Sequence, residues 1–184
     1  EVTSDVLDPR PDTEALVDAA LEHFADRQSE PLRVADLGTG SGALLCALLD
    51  VFPNAHGEAI DISAAACNVA RRNLMACGFV GRFTLTPGDW EALSRGPFDI
   101  IVSNPPYIRS DDIAYLPPEV RDFDPRLALD GGPDGLAAYR LLAPLLRSRL
   151  APKGLALLEV GYDQAEAVAD ILVNESLNCL EPRR

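Results

Sequence analysis

The chain has 184 residues, 47% of them hydrophobic, which is enough for one domain with a continuous core. It has no apolar run of about 18 residues and no basic start before an apolar stretch, so neither a membrane span nor a signal peptide is expected. The net charge of −13 disfavours a protein that holds a nucleic-acid duplex directly, because that binding relies on Lys and Arg neutralising phosphates.

The predicted elements alternate between helix and strand along the chain. Apolar residues at intervals of three and four predict helices, and short apolar or alternating runs predict strands. In order, these are helix 11–27 (starting near Asp12 or Thr13), strand 32–37, a glycine-rich turn 38–42, helix 43–51, strand 57–62, helix 63–76, strand 82–86, strand 98–103, helix 136–150, strand 154–160 and helix 163–173.

Local signals refine these helices. Ser63 is typical of a helix cap, and Gly78 of a residue that ends a helix. Pro144 lies inside the pattern of residues 136–150 and predicts a kinked or split helix there, because proline removes a backbone donor.

The cysteines indicate neither zinc nor disulfides. Four cysteines lack the paired spacing of such sites, and the two histidines are isolated. Cys46, Cys67 and Cys77 fall inside apolar helical patterns, which predicts buried free thiols. We therefore expect no metal site and a reducing, cytoplasmic location.

Strands separated by helices predict an α/β fold with a doubly wound, mainly parallel sheet and helices on both faces. Ligands bind at the carboxyl ends of the strands in such folds. We expect one domain over residues 1–184, with an amino-terminal motif and helix in residues 1–30. Residues 109–133, called the excursion below, hold four prolines and many acids, and are expected to form an irregular insertion on the substrate side.

The stretch "VADLGTGSGA", residues 34–43, predicts a cofactor-binding loop between a strand and a helix. Its spacing is GxGxG and not the GxGxxG of dinucleotide folds, and Asp36 precedes it. A carboxylate would repel a pyrophosphate but suits the ammonium and sulfonium of S-adenosyl-L-methionine. The residues expected to contact this cofactor are Asp36, Gly38, Thr39, Gly40, Ser41 and Gly42.

Two later strands also end in acids. Asp61 and Ile62 end the second, where a carboxylate can accept ribose hydroxyls, and Asp89 and Trp90 follow the third, where a carboxylate and an indole suit adenine. Each acid alone would be read as a helix cap or solvated turn. Acids after three successive strands, beside a glycine loop, favour S-adenosyl-L-methionine.

The segment Asn104-Pro105-Pro106-Tyr107 follows the fourth strand, which should adjoin the first. The Asn104 side-chain oxygen and the Pro105 carbonyl could accept both hydrogens of a planar nitrogen, held in place by prolines of fixed φ, while Tyr107 covers the planar group. In isolation the segment would be an ordinary turn. Beside a cofactor site it indicates methyl transfer to nitrogen, with Asn104 also near the cofactor.

These residues resemble methyltransferases that act on planar nitrogen, which include adenine-N6 enzymes and HemK-type protein-(glutamine-N5) methyltransferases. Three further stretches resemble the second group along nearly the whole chain: "LDPRPDTEALV" (7–17), "EVRDFDPRLALDGGPDGLAAYRLL" (119–142) and "LLEVGYDQ" (157–164). The family usually carries a helical domain before the first of these stretches, and we expect that domain to be absent or omitted here, since the stretch starts almost at residue 1.

The resemblance implies methylation of the glutamine in the Gly-Gly-Gln motif of a class I peptide chain release factor. We expect a monomer, with no direct binding of nucleic acid or membrane. Asn104 to Tyr107 would bind the glutamine amide, with Arg10, Thr13 and Glu14 helping to build the site and Arg10 and Glu14 expected to contact the substrate. For these three amino-terminal residues, a simple helix start with an ion pair stays open. Two other functions stay open: an adenine-N6 methyltransferase of DNA or RNA, and a non-catalytic cofactor-binding domain or fragment.

Overall fold

The computed structural model describes residues 1–10 and 13–183 and has one sheet at its centre. Within these residues the sheet has five parallel strands in the order β3-β2-β1-β4-β5. The strands are β1 (Arg33–Leu37), β2 (His56–Asp61), β3 (Phe83–Pro87), β4 (Phe98–Ser103) and β5 (Leu150–Leu158). The predicted doubly wound α/β class is confirmed, including the pairing of β1 with β4.

Helices connect the strands. They are α1 (Glu14–His23), α2 (Ala43–Val51), α3 (Ala64–Ala76), α4 (Pro118–Arg121), α5 (Arg126–Leu129), α6 (Ala137–Arg149) and α7 (Ala165–Asn174), with short 3₁₀ turns at Ala25–Arg27, Trp90–Ala92 and Ile113–Tyr115. Ser63 caps α3 as predicted, since its Oγ accepts a hydrogen bond from Ala66 N at 3.1 Å. No helix among the described residues is long and apolar enough to cross a membrane.

The central strands bury side chains on both faces. Ile100 and Val102 of β4 pack in a cluster with α1 and α2, whereas Ile101 packs in a second cluster with α6. All three are fully buried, and each contributes about 1.5–3 kcal/mol relative to an exposed side chain. This two-sided packing fixes the ends of β1 and β4 side by side at one sheet edge.

Two helices differ from the predictions by more than one or two end residues or in continuity. The predicted helix 11–27 is shorter, because α1 ends at the buried Phe24 and a 3₁₀ turn follows; Pro11 and Asp12 lie outside the described residues. The predicted split at Pro144 is wrong, because α6 runs through it without interruption. Buried side chains on either side, such as Leu142 and Leu146, anchor the helix despite the lost backbone hydrogen bond.

Three further expectations need adjustment. The strand predicted at 154–160 begins earlier, at Leu150, because it pairs with Phe98 before a register shift. Cys77 is exposed and not buried, since it lies at the carboxyl-terminal cap of α3, and Cys46 is half-buried. The excursion is not wholly irregular, because it contains the short helices α4 and α5 and a 3₁₀ turn.

Candidate active site

A cavity of about 880 Å³ opens at the carboxyl ends of β1, β2 and β4. It brings together most of the predicted site residues, which come from the glycine loop, the ends of three strands and the segment after β4. These lining residues are Gly38, Thr39, Gly40, Ser41, Asp61, Ile62, Asp89, Trp90, Asn104 and Pro106. Asp36, Gly42, Pro105, Tyr107, Arg10 and Glu14 do not line it directly.

The glycine loop is held against the end of β2. Gly40 N donates a hydrogen bond to Asp61 Oδ2 at 2.9 Å, and Ser63 N donates to Asp61 Oδ1 at 2.8 Å. Gly42 has φ +78°, and a Cβ there would lie 3.1 Å from the Cβ of Ala70 in α3. Loop and carboxylate therefore form one rigid wall of the cavity.

Asp36 lies beneath this loop, fully buried. Its Oδ2 accepts a hydrogen bond from the Thr39 hydroxyl at 2.6 Å, while its Oδ1 is buried without a hydrogen-bond partner among the described residues. Burial, assisted by the nearby charge of Asp61 and opposed by the Thr39 hydrogen bond, raises the pKa of Asp36 to about 7. A buried carboxyl group therefore lies beneath the glycine loop, behind the residues that line the cavity.

Asp89, Trp90 and Ile62 also line the cavity. Asp89 caps the 3₁₀ turn that follows β3, because its Oδ1 accepts a hydrogen bond from Glu91 N at 3.1 Å. The Trp90 indole lies against the loop, about 4.0 Å from where a Cβ of Gly38 would stand. Ile62 is 63% exposed and offers an apolar edge to the cavity.

The segment after β4 is held by backbone packing. A Cβ at Gly131 would lie 2.8 Å from both the carbonyl oxygen of Pro106 and the Cα of Tyr107, so only glycine allows this approach. The buried Gln164 donates from Nε2 to the Tyr107 carbonyl at 2.9 Å. Asn104 therefore projects into the cavity from a backbone that other elements fix.

Glu159, at the end of β5, was not predicted as a site residue. Its Oε2 accepts a hydrogen bond from the Thr13 hydroxyl at 2.7 Å, and its Oε1 accepts one from the Tyr107 hydroxyl at 3.2 Å. Thr13 in turn accepts a hydrogen bond from Asn104 Nδ2 at 3.4 Å. The sequence signal that could have found it is its place in the stretch "LLEVGYDQ" near the end of the predicted strand 154–160.

Arg10 and Glu14 lie at the rim. Arg10 forms an ion pair of 2.9 Å with Asp124 in the excursion, so its partner is not the nearby Glu14. Glu14 is exposed in the first turn of α1. Arg10 thus joins the amino-terminal segment to the excursion.

Two arginines of the excursion are paired with acids. Arg109 and Arg126 form ion pairs with Asp163 and Asp130.

Among the described residues, no group of three or more His, Cys, Asp or Glu side chains is placed to hold a metal ion.

Comparison with known proteins gives close sequence relatives. The chain is 53% identical over 169 residues to the release factor glutamine methyltransferase of Rhodospirillum rubrum, covering 92% of this chain and 51% of that protein. It is 44% identical over 182 residues to the enzyme of the same name from Agrobacterium fabrum, covering 98% of this chain and 63% of that protein. The chain thus spans about half to two thirds of the length of these relatives.

Solved structures share the fold. The hMettl16 catalytic domain in complex with a 3'UTR hairpin aligns over 95% of this chain and 66% of its own, with a TM-score of 0.74 and 15% identity. The ribosomal protein L11 methylase of Lactobacillus delbrueckii aligns over 91% of this chain and 70% of its own, with a TM-score of 0.61 and 24% identity. These likenesses, with the strand order, establish the class I S-adenosylmethionine-dependent methyltransferase fold.

A family model supplies the assignment. The model described as "Methyltransferase small domain" matches residues 13–116, which is more than half of the chain. The matched region contains the glycine loop, Asp61, Trp90 and Asn104. The chain therefore belongs to the methyltransferase small domain family.

Proposed function

We propose that the chain transfers a methyl group from S-adenosyl-L-methionine to the side-chain amide nitrogen of a glutamine, in the Gly-Gly-Gln motif of a class I peptide chain release factor. The observation that carries this proposal is the position of Asn104 in the same cavity as the glycine loop and Asp61. The glycine loop and Asp61 can then hold a cofactor, while the side chain of Asn104 in the same cavity can accept hydrogen bonds from a substrate amide.

The cavity fits this cofactor. Asp61 and the glycine loop suit a ribose, and Trp90 suits a purine face. The buried Asp36 carboxyl beneath the loop would favour a cationic group bound above it. When bound, S-adenosyl-L-methionine supplies an electrophilic methyl group on its sulfonium.

In the proposal, the residues after β4 orient the amide nitrogen of the substrate glutamine for methyl transfer. An amide nitrogen is a weak nucleophile because its lone pair is delocalised into the carbonyl. In the proposal, Asn104 Oδ1 and the Pro105 carbonyl accept its two hydrogens, which fixes its orientation and favours the positive charge that develops during transfer. The close packing of Gly131 on Pro106 and Tyr107 supports a preorganised arrangement.

The names of two relatives support the proposed substrate. The names of the Rhodospirillum rubrum and Agrobacterium fabrum proteins specify glutamine in a release factor. The net charge of −13 and the pairing of Arg109 and Arg126 with acids favour a protein substrate over a nucleic acid. Because release factors act on ribosomes, the proposed location is the cytoplasm.

The test is transfer of label from isotopically labelled cofactor. We expect label on a release factor carrying Gly-Gly-Gln and none on a Gly-Gly-Ala version or on adenine-containing DNA. Label on DNA alone would replace the proposal with adenine methylation. Cofactor binding without label on either substrate would favour a non-catalytic domain.

A further inference from the structure

Glu159 has a backbone that is fixed on both sides. Its N–H donates to the Ser103 carbonyl at 3.0 Å, and its carbonyl accepts a hydrogen bond from the Tyr139 hydroxyl at 2.8 Å. Tyr139 is fully buried, and burial raises the pKa of its phenol, so it stays a donor at neutral pH. The Glu159 side chain therefore starts from a defined point beside Asn104.

The carboxylate determines how its neighbours donate. An ionised carboxylate can only accept hydrogen bonds, so the hydroxyl hydrogens of Thr13 and Tyr107 must point towards Glu159. At 2.7 Å, the bond from Thr13 is short and charge-assisted.

Thr13 uses its hydroxyl in an unusual way. It is the amino-terminal cap residue of α1, where a threonine oxygen commonly accepts a hydrogen bond from the first turn of its own helix. In the described part of the chain it makes no such capping bond. Its hydrogen goes to Glu159, and its lone pair accepts from Asn104 Nδ2 at 3.4 Å.

The direction of the Thr13 hydroxyl hydrogen determines which end of the Asn104 side-chain amide faces Thr13. The two ends of an asparagine amide have nearly the same shape, so neighbouring donors and acceptors decide which end points where. Because the Thr13 hydrogen is committed to Glu159, Thr13 can only accept from Asn104, and the Asn104 nitrogen must face it. The oxygen of Asn104 is then left for the cavity.

We propose that Glu159 is a positioning residue which, through Thr13, orients the Asn104 amide so that its oxygen faces the substrate nitrogen. The inference rests on the proposed function, since that chemistry requires an oxygen and not an NH₂ at this point.

The first test is Glu159→Gln, which keeps the shape but adds a donor. Its NH₂ can donate to Thr13, which frees the threonine hydrogen to meet the Asn104 oxygen and lets the amide turn over. We expect kcat on a Gly-Gly-Gln substrate to fall by at least about tenfold, with cofactor Kd and Tm close to those of the unsubstituted protein. An unchanged kcat, or parallel losses in Tm and cofactor affinity, would overturn the proposal.

The second test is a double-mutant cycle. Thr13→Val removes the link to Asn104, and Thr13→Ser keeps it, so we expect a low kcat for the first and a near-normal kcat for the second. If Glu159 acts through Thr13, the combination of Glu159→Gln and Thr13→Val should cost no more than the larger single change. Additive losses would show that Glu159 acts by another route.

A third readout is independent of activity. The side-chain NH₂ resonances of Asn104 in ¹⁵N NMR, assigned by their loss in Asn104→Asp, should shift in Glu159→Gln and in Thr13→Val but not in Thr13→Ser. Unchanged resonances in Glu159→Gln would overturn the inference. If the unsubstituted protein fails to methylate a release factor, the proposed function fails, and these resonances alone decide the orientation.

Discussion

Asp61 accepts hydrogen bonds with both carboxylate oxygens, one from Gly40 N at 2.9 Å and one from Ser63 N at 2.8 Å. One side chain therefore sets the glycine loop and the start of α3 relative to each other. Each oxygen can accept a further hydrogen bond, and Asp61 lines the cavity.

Replacing Asp61 by Ala should weaken cofactor binding. The change removes acceptors for the loop and for ribose hydroxyls, and hydrogen bonds to a charged group contribute about 1.5–3 kcal/mol each, which corresponds to roughly tenfold to hundredfold in Kd. Isothermal titration with the cofactor measures it. Asp50→Ala, an exposed carboxylate on α2, is the control. Equal isotherms for both variants would remove Asp61 from the cofactor site.

Asn104→Ala should retain cofactor binding but lose transfer. If Asn104 acts mainly on the nitrogen in the transition state, kcat should fall by about a hundredfold, as for other preorganised hydrogen-bonding groups. Steady-state kinetics with labelled cofactor measures this. Asn54→Ala is the control. The Asn54 side-chain amide donates to the Ser29 carbonyl at an exposed site outside the cavity, so this change should leave kcat unchanged. Normal turnover by the Asn104 variant would contradict the mechanism.

Asp36 predicts a pH dependence of stability. Burial raises its pKa from 3.8 to about 7 in the folded protein, so folding favours the protonated form. The stabilising contribution is fully present below pH 3.8 and is lost as pH rises through about 7. Asp36→Asn removes this titration, and the two proteins should differ most in free energy of unfolding above about pH 7. Denaturant unfolding from pH 4 to 8 measures the difference; parallel curves would show that Asp36 is not perturbed.

The same carboxyl predicts a pH dependence of cofactor affinity. A bound cation favours the ionised form of Asp36, so cofactor affinity should increase as pH rises through about 7. Titrations across this range should show the increase in the unsubstituted protein and a flatter profile in Asp36→Asn. A profile of the same slope in both would assign the titration to another group.

Arg10→Ala should loosen the excursion. It leaves Asp124, with a side chain only 8% exposed, without its 2.9 Å partner. We expect faster proteolysis within the excursion and a higher KM for the protein substrate, with little change in cofactor Kd. Arg121→Ala is the matched control, because it breaks an exposed ion pair with Asp122 in the same segment, and such pairs contribute little. Identical proteolysis of the two variants would contradict a role for the Arg10 pair.

The sheet could be predicted because its signals are local. The apolar run of β4 (Phe98–Ser103) and the glycine turn after β1 mark strand ends directly, and parallel topology then places them at one edge. Asp61 and Asn104 were found because they follow such strands. The continuous α6 was missed because packing of Leu142 and Leu146 outweighs the local effect of Pro144.

The contacts of Glu159 and Asp124 could not be predicted, because they join parts of the chain far apart in sequence. Thr13 and Glu159 are separated by 146 positions, and Arg10 and Asp124 by 114. Pattern and propensity describe neighbours along the chain. They do not specify which hydroxyl or guanidinium meets a given carboxylate.

The excursion begins and ends at nearly the same place. Ile108 and Asp130 form a parallel bridge, and the Ser110 hydroxyl donates to Asp130 Oδ1 at 2.6 Å. The chain between is therefore a closed loop, and the entropy cost of such a loop grows only with the logarithm of its length. The bridge and the Ser110 hydrogen bond hold the two ends of this loop together beside the segment that carries Asn104. Under the proposed function, sequence changes within the loop would alter the surface offered to a protein substrate while these anchors keep its ends in place.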